Sequence, residues 1–194
     1  MRGLAKKLGV GTMSIYWYVP SKDDLLDLVV DAVRGEIEVP DPGTGDWRTN
    51  SSILAHNTRR VLLRHQWMVN LAAVGPPVGS HTLSLVDHAL ALFDHSGADP
   101  MTVVSSFMAI DTFVMGYVMR EQQERANDYY ERALSHDEIE DLAETYHDYM
   151  QQYPHIQAMI RAGIDPDSPD SRDERFEFGL ECLLDGIAAR LPSK

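Results

Sequence analysis

The run Leu4-Ala-Lys-Lys-Leu-Gly-Val-Gly-Thr-Met-Ser-Ile-Tyr-Trp-Tyr-Val19 decides how this chain is read. A short helix from Arg2 to Leu8 meets Gly9, and a second helix begins after Thr12, which is helix-turn-helix spacing. Ala5 is small where two helices must cross closely, and Gly9 can take the positive φ that turns the chain. Val10 and Ile15 are expected to plug the angle between the helices, and Thr12 to cap the second one. Beyond the turn, Met13, Ser14, Trp17 and Tyr18 fall on the exposed N-terminal half of that helix, where a recognition helix reaches base edges in the major groove. Lys22 follows, placed to pair with a phosphate.

The charge around this run points the same way. Residues 1 to 22 hold Arg2, Lys6, Lys7 and Lys22 and no acidic residue, whereas the 194-residue chain carries 17 basic and 30 acidic residues, a formal charge of −13. A basic tip on an acidic body excludes a protein that coats nucleic acid over its whole surface and leaves a local contact. A short cationic run is also what a plain solvated face looks like. With 44% hydrophobic residues, 13 Gly and 10 Pro, the composition is ordinary globular usage, which excludes collagen-like, low-complexity and wholly disordered chains. The length suits one compact domain, or one with a small appendage. Cys182 alone cannot form an internal disulfide, and no apolar stretch follows the charged start as in a signal peptide, so a reducing, cytoplasmic setting is expected.

Outward from the opening run, the pattern is helical. Alternating β-branched runs and Asn-Gly hairpins do not occur. Leu83, Val86, Leu90 and Phe93 share helical spacing, with Gly97 as a left-handed stop. Phe176, Leu180, Leu183, Leu184, Ile187 and Leu191 form one stripe of a last helix that stops near Pro192, and Leu54, Val61, Leu62 and Met68 fall in looser register. The most apolar stretch, Val103 to Met119, is interrupted by Ser105, Ser106, Asp111 and Gly116 and falls short of the ~20 apolar residues a bilayer needs, so a buried core helix is expected there. Val39-Pro-Asp-Pro-Gly-Thr-Gly45 separates the N-terminal unit from the rest, and Gly163 to Asp173, with Pro166 and Pro169, forms a second break. The fold class is all-α.

The stretch from Arg2 to about Val33, with Leu4-Ala5, Leu8-Gly9-Val10, Ile15-Tyr16-Trp17-Tyr18-Val19 and Lys22-Asp-Asp-Leu-Leu26, resembles the DNA-binding domain of the TetR family of bacterial transcriptional repressors. The Tyr-Trp-aromatic-Val run followed by a lysine and a paired leucine is the specific part; the remaining chain agrees in helix content, order and length. The resemblance implies that Arg2, Thr12, Met13, Ser14, Tyr16, Trp17, Tyr18 and Lys22 stand at DNA-facing positions. It implies a DNA-binding domain with its connecting helix over residues 1–40 and a helical effector-binding, dimerising body over 46–194. Members of the family carry a further helix ahead of the segment matched here. Without that first helix the reading head is expected to lean on the helix from Lys22 to about Glu38 and to be the loosest part of the fold.

Beside the large stripe of the last helix run Gly179, Cys182 and Gly186, small residues that let another helix approach closely. This helix and the apolar 103–119 helix could both be interior helices of a monomer. The resemblance implies instead a homodimer built as a four-helix bundle from the eighth and tenth helices of each subunit, with Gly179, Leu180, Cys182, Leu183, Gly186 and Ile187 at the interface. Two-fold symmetry would match a palindromic operator. Trp67, Met68, Phe107, Met108, Asp111 and Met115 are the candidates for a small-molecule effector pocket, although a Met-rich lining also reads as plain core. A carboxylate in an apolar helix is costly unless partnered, so Asp111 is expected to bond a neighbouring side chain or a polar group of a ligand.

Catalytic patterns are weak. Glu144-Thr-Tyr-His147 has di-iron spacing without a second copy, and the loop Asp165-Pro-Asp-Ser-Pro-Asp170 lacks the glycine and glutamate of a calcium loop. Asp87-His88 and Asp94-His95 read as the wet face of their helix. The expectation is a non-enzyme without metal, cofactor or membrane partner: a ligand-responsive repressor that binds operator DNA as a homodimer and is released by an effector. The alternative is an all-helical small-molecule-binding protein or bundle enzyme without functional DNA contact.

Overall fold

A computed structural model describes residues 1–68, 79–133, 152–165 and 168–192, the side chains of 128–133 excepted. Among them every regular element is helical, and they fall into two compact units, 1–118 with 183–194, and 119–182.

The first unit begins with α1 (Arg2–Leu8), which ends where Gly9 takes φ 68° and the Val10 N–H reaches the Ala5 carbonyl at 3.1 Å. A left-handed residue closing the last carbonyls in this way is where glycine avoids the Cβ clash. α2 (Thr12–Tyr16) is shorter than expected, and Gly11, not Thr12, holds the cap position. It stops early because Pro20 restricts Val19 to extended backbone, so Trp17 and Tyr18 sit in the turn that follows. Ala5, Ile15 and Val19 are buried, but Val10 is exposed and does not fill the angle between the helices.

Ser21 starts α3 (Lys22–Arg34) by accepting the Asp24 N–H at 3.0 Å. The Pro/Gly break after it is an ordered turn. Asp41 accepts the Gly43 N–H at 2.8 Å, Asn50 donates to the Thr44 carbonyl at 2.7 Å, and Gly45 has φ 81°. Asp46 then caps α4 (Trp47–Arg64) through the Arg48 and Thr49 amides. Leu54, Ala55, Val61 and Leu62 bury one face of α4, and Trp47 stacks on Phe93 with centroids 5.6 Å apart.

α5 (Ser80–Ala91) is turned relative to the expected stripe: Thr82 and Ala89 are buried and Leu83 is exposed. Phe93 lies past the helix end, with Gly97 at φ 73° closing the turn after it. The reason is the buried Asp31 of α3, which holds Thr82 inward. As expected, Asp87, His88, Asp94 and His95 are exposed.

α6 (Pro100–Ala133) corrects the sequence reading most. Its 100–127 portion is long and apolar enough to cross a membrane by length and composition, so length does not exclude a span, and only 22% of the apolar window is buried. It is not a buried core helix within one chain. Ser106, Ile110, Val114 and Val118 turn inward, while Met101, Val104, Met108 and Met119 stay exposed.

The second unit holds the later part of α6, α7 (Pro154–Arg161), a single 3-10 turn at Pro169–Ser171 and the start of α8 (Arg172–Ala188). Its centre is ionic. Glu124, nearly inaccessible, accepts Arg120 at 2.8 Å, Arg172 at 3.1 Å and Arg175 at 2.8 Å. Glu121, also buried, accepts Arg125 at 2.7 Å. The expected stripe on α8 is present: Phe176, Leu180, Leu184 and Ile187 are buried. The Glu144–His147 spacing and the Pro166–Asp167 part of the acidic loop lie outside the described residues.

Candidate functional site

The reading head presents an apolar and aromatic tip edged by cations. Ile15 and Val19 turn inward, so the opposite side of α2 and its turn carries Met13, Ser14, Trp17 and Tyr18 outward. Trp17 and Tyr18 are each 86% exposed, an arrangement that folding alone does not explain, because large aromatic side chains ordinarily bury most of their surface. Tyr16 is also exposed, Thr12 is half-buried at the first position of α2, and Arg2, Lys6, Lys7 and Lys22 are exposed around them. All eight residues expected to face DNA are thus accessible at least in part, on α1, on α2 with its turn, and at the start of α3.

Behind the head, α3 is fastened to α5. The Asp31 carboxylate accepts the Thr82 N–H and Thr82 hydroxyl, each at 2.8 Å, the His81 N–H at 3.3 Å and His81 Nδ1–H at 3.0 Å. Burial opposes its charge, but these four donors, led by the Thr82 amide, outweigh burial and hold the group at about 2. Gly79 is required beside it, since a Cβ there would collide with the carboxylate. A second tie joins the end of α3 to the end of α4: Glu36 accepts His65 Nε2 at 2.9 Å and Arg64 at 3.1 Å. The His65 hydrogen bond, ahead of the charges of His65 and Arg64, holds Glu36 below the usual carboxylate range. Sequence reasoning missed both ties. Residues 31 and 82 carry no spacing signal, and an aspartate on the inner face of an amphipathic helix was the one visible clue.

Of the effector candidates, Phe107, Asp111 and Met115 follow one another along α6 at helical spacing, beside the buried stripe. Phe107 and Met115 are half-buried, Met108 is exposed, Met68 is buried, and Trp67 is partly exposed edge-on to His65 at 6.0 Å. Asp111 retains water access but is ringed by enough protein to push its carboxyl above the ordinary range, an effect the Arg34 charge partly offsets. Among the described residues no cluster of three His, Cys, Asp or Glu could hold a metal ion.

On α8, Leu180 and Ile187 are buried in their own chain, so of the six expected interface residues Gly179, Cys182, Leu183 and Gly186 remain available to a partner. Phe178, 74% exposed on the same helix, was not foreseen.

The profile of the tetracyclin repressor-like C-terminal domain matches residues 39–191, the part of the chain beyond the head and its connecting helix. The chain is 30% identical to the HTH-type transcriptional repressor DrrR1 of Streptomyces coeruleorubidus, over 96% of this chain and 68% of that protein. It is 31% identical to an HTH-type transcriptional regulator of Saccharopolyspora erythraea, over 97% of this chain and 75% of the relative. Among solved structures it is similar to ActR of Streptomyces coelicolor, in complex with actinorhodin, with a TM-score of 0.74 and 26% identity over 97% of this chain and 86% of that one. A head with an accessible aromatic tip, an all-helical body and this span of likeness agree: the chain belongs to the TetR family of transcriptional regulators.

Proposed function

We propose that this chain is a ligand-responsive repressor that binds palindromic operator DNA as a homodimer, acts in the cytoplasm and has no catalytic role of its own. In this reading residues 1–40 are the DNA-binding domain and 46–194 the effector-binding and dimerising body. The observation that carries it is the outward placement of Met13, Trp17 and Tyr18 within residues 1–22, a stretch of an acidic chain that holds Arg2, Lys6, Lys7 and Lys22 and no acidic residue. Trp17, Tyr18, Met13 and Ser14 reach base edges; Arg2, Thr12, Tyr16 and Lys22 position the head on the phosphates.

The effector site is lined by Trp67, Met68, Phe107, Met108, Asp111 and Met115. Aromatic and thioether groups suit a flat apolar compound, and Asp111 suits a hydroxyl or amine on it. The actinorhodin held by the similar ActR supports a small-molecule effector for this chain. Such a ligand lowers DNA occupancy by binding better to the conformation whose heads do not match the operator. The dimer contact uses Gly179, Cys182, Leu183 and Gly186, with Leu180 and Ile187 supporting them from within.

In-vitro selection from random-sequence duplexes tests the reading. The expected product is an inverted repeat bound far more tightly than random DNA, and retention of duplexes without any common sequence would overturn it.

A further inference from the structure

A cleft of about 250 Å³ lies between the end of α3 and the outer face of α5, lined by Arg34, Ile37, His81, Ser84, Leu85 and His88, among others. It contains none of the effector candidates named above. Arg34 is the unusual member: its Nε is buried without a hydrogen-bond partner, and it makes no ion pair within reach among the described residues, Asp111 being its one electrostatic neighbour. A buried guanidinium donor left unsatisfied is costly, and such groups in native proteins call for an explanation. His81 and His88 occupy one face of α5, seven residues and about 10 Å apart along the axis. Each is held by Nδ1, His81 on Asp31 at 3.0 Å and His88 on the Ser84 carbonyl at 2.7 Å, so each ring keeps Nε2 for another partner. Gly35 makes room for the first ring, because a Cβ there would come within 2.6 Å of His81. Among the described residues no carboxylate lines the cleft, in a chain that carries 30 acidic residues. Of the carboxylates around it, Asp31 has its charge occupied by four donors, and Asp111 acts on Arg34 without an ion pair.

We propose that this cleft binds a small organic carboxylate: Arg34 meets the carboxylate, His81, Ser84 and His88 offer further donors along the cleft, and Ile37, Val39 and Leu85 cover the apolar body. A planar guanidinium matches a carboxylate with two parallel hydrogen bonds, and the apolar side of the cleft favours a carboxylate that carries an alkyl body over a compact inorganic oxyanion. The volume lies below the ~300–1,000 Å³ of pockets for drug-sized ligands, and so selects a metabolite-sized acid. The cleft shares no lining residue with the effector candidates and bridges the helix behind the reading head to the body. Its occupancy therefore shifts operator affinity by the ratio of its affinities for the two head positions.

Titration calorimetry of the full chain with octanoate, octanamide and sulfate tests this. Octanoate is expected to bind, and octanamide and sulfate to bind at least tenfold more weakly. Arg34→Gln should weaken octanoate at least tenfold, and Ser84→Trp, which fills the cleft while keeping the Arg34 guanidinium, should do the same; Phe107→Ala should leave octanoate unchanged. No binding of octanoate at millimolar concentration, equal binding of octanamide or sulfate, or a loss with Phe107→Ala but not with Ser84→Trp would each overturn the assignment. None of these outcomes bears on operator recognition, which rests on α2.

Discussion

Asp31 shows how one side chain can join two parts of a protein. It closes the first turn of α5 with its carboxylate, as a cap does, but from another helix 51 residues away. Replacing it with alanine leaves the Thr82 and His81 amides without their acceptor and should lower stability by about 1–2 kcal/mol in chemical denaturation. Gly79→Ala should approach the same loss by displacing the carboxylate. The acid sensitivity has a definite sign. The folded-state value of about 2 lies below the 3.8 of a free aspartate side chain, so the tie contributes fully above about pH 4 and is lost as pH falls toward 2. Asp31→Asn should flatten that part of the acid-unfolding curve; an unchanged curve would remove Asp31 from the account. At the tip, Ser14→Ala and Trp17→Ala should weaken operator binding more than random-DNA binding, whereas Lys22→Ala should weaken both and shallow the salt dependence. Gel-shift titrations at two salt concentrations read these differences, and equal losses on both DNAs for all three variants would contradict base reading.

At the scale of elements, legibility followed how local each signal is. The turn at Gly9, the cap at Ser21 and the stripe of α8 depend on neighbours within a few positions, and spacing was enough to find the turn and the stripe. α2 was read too long because Pro20 outweighs the apolar run before it, and the facing of α5 was misjudged because a buried carboxylate, not its leucines, sets its rotation. α6 was read as core because apolar composition does not say whether a helix is covered by its own chain or by another. At the reading head the residues expected to face DNA are accessible as the spacing anticipates, whereas in the body the effector candidates divide, Met68 being buried and Phe107 half-buried while Met108 is exposed. The exposed apolar side of α6 and Phe178 on α8 are the surfaces a partner would cover. Gly186 offers a clean test, since a Cβ there meets only the end of the Arg190 side chain, at 4.0 Å. Gly186→Leu should keep full helicity by circular dichroism yet shift the protein toward monomer in light scattering. A wild-type monomer at micromolar concentration would end the dimer proposal.

For the whole molecule, stability is unevenly distributed. The head buries little beyond Ala5, Ile15 and Val19, so amides of residues 1–20 should exchange with solvent faster than those of 103–119. The second unit is centred on charges: Glu124→Leu removes the carboxylate that three guanidinium groups share and should destabilise the chain by about 3–5 kcal/mol in urea unfolding. The three tryptophans fall into three different neighbourhoods. Trp17 projects into water at the head, Trp47 lies stacked against Phe93, and Trp67, itself one of the effector candidates, stands edge-on to His65. The chain thereby carries three native fluorophores. Emission from Trp17 should be quenched when bases stack against it, that from Trp67 should change with an occupied effector site, and that from Trp47 should stay constant until the core melts. Single-tryptophan versions would let one instrument follow DNA release, ligand capture and unfolding separately, in the same unlabelled protein.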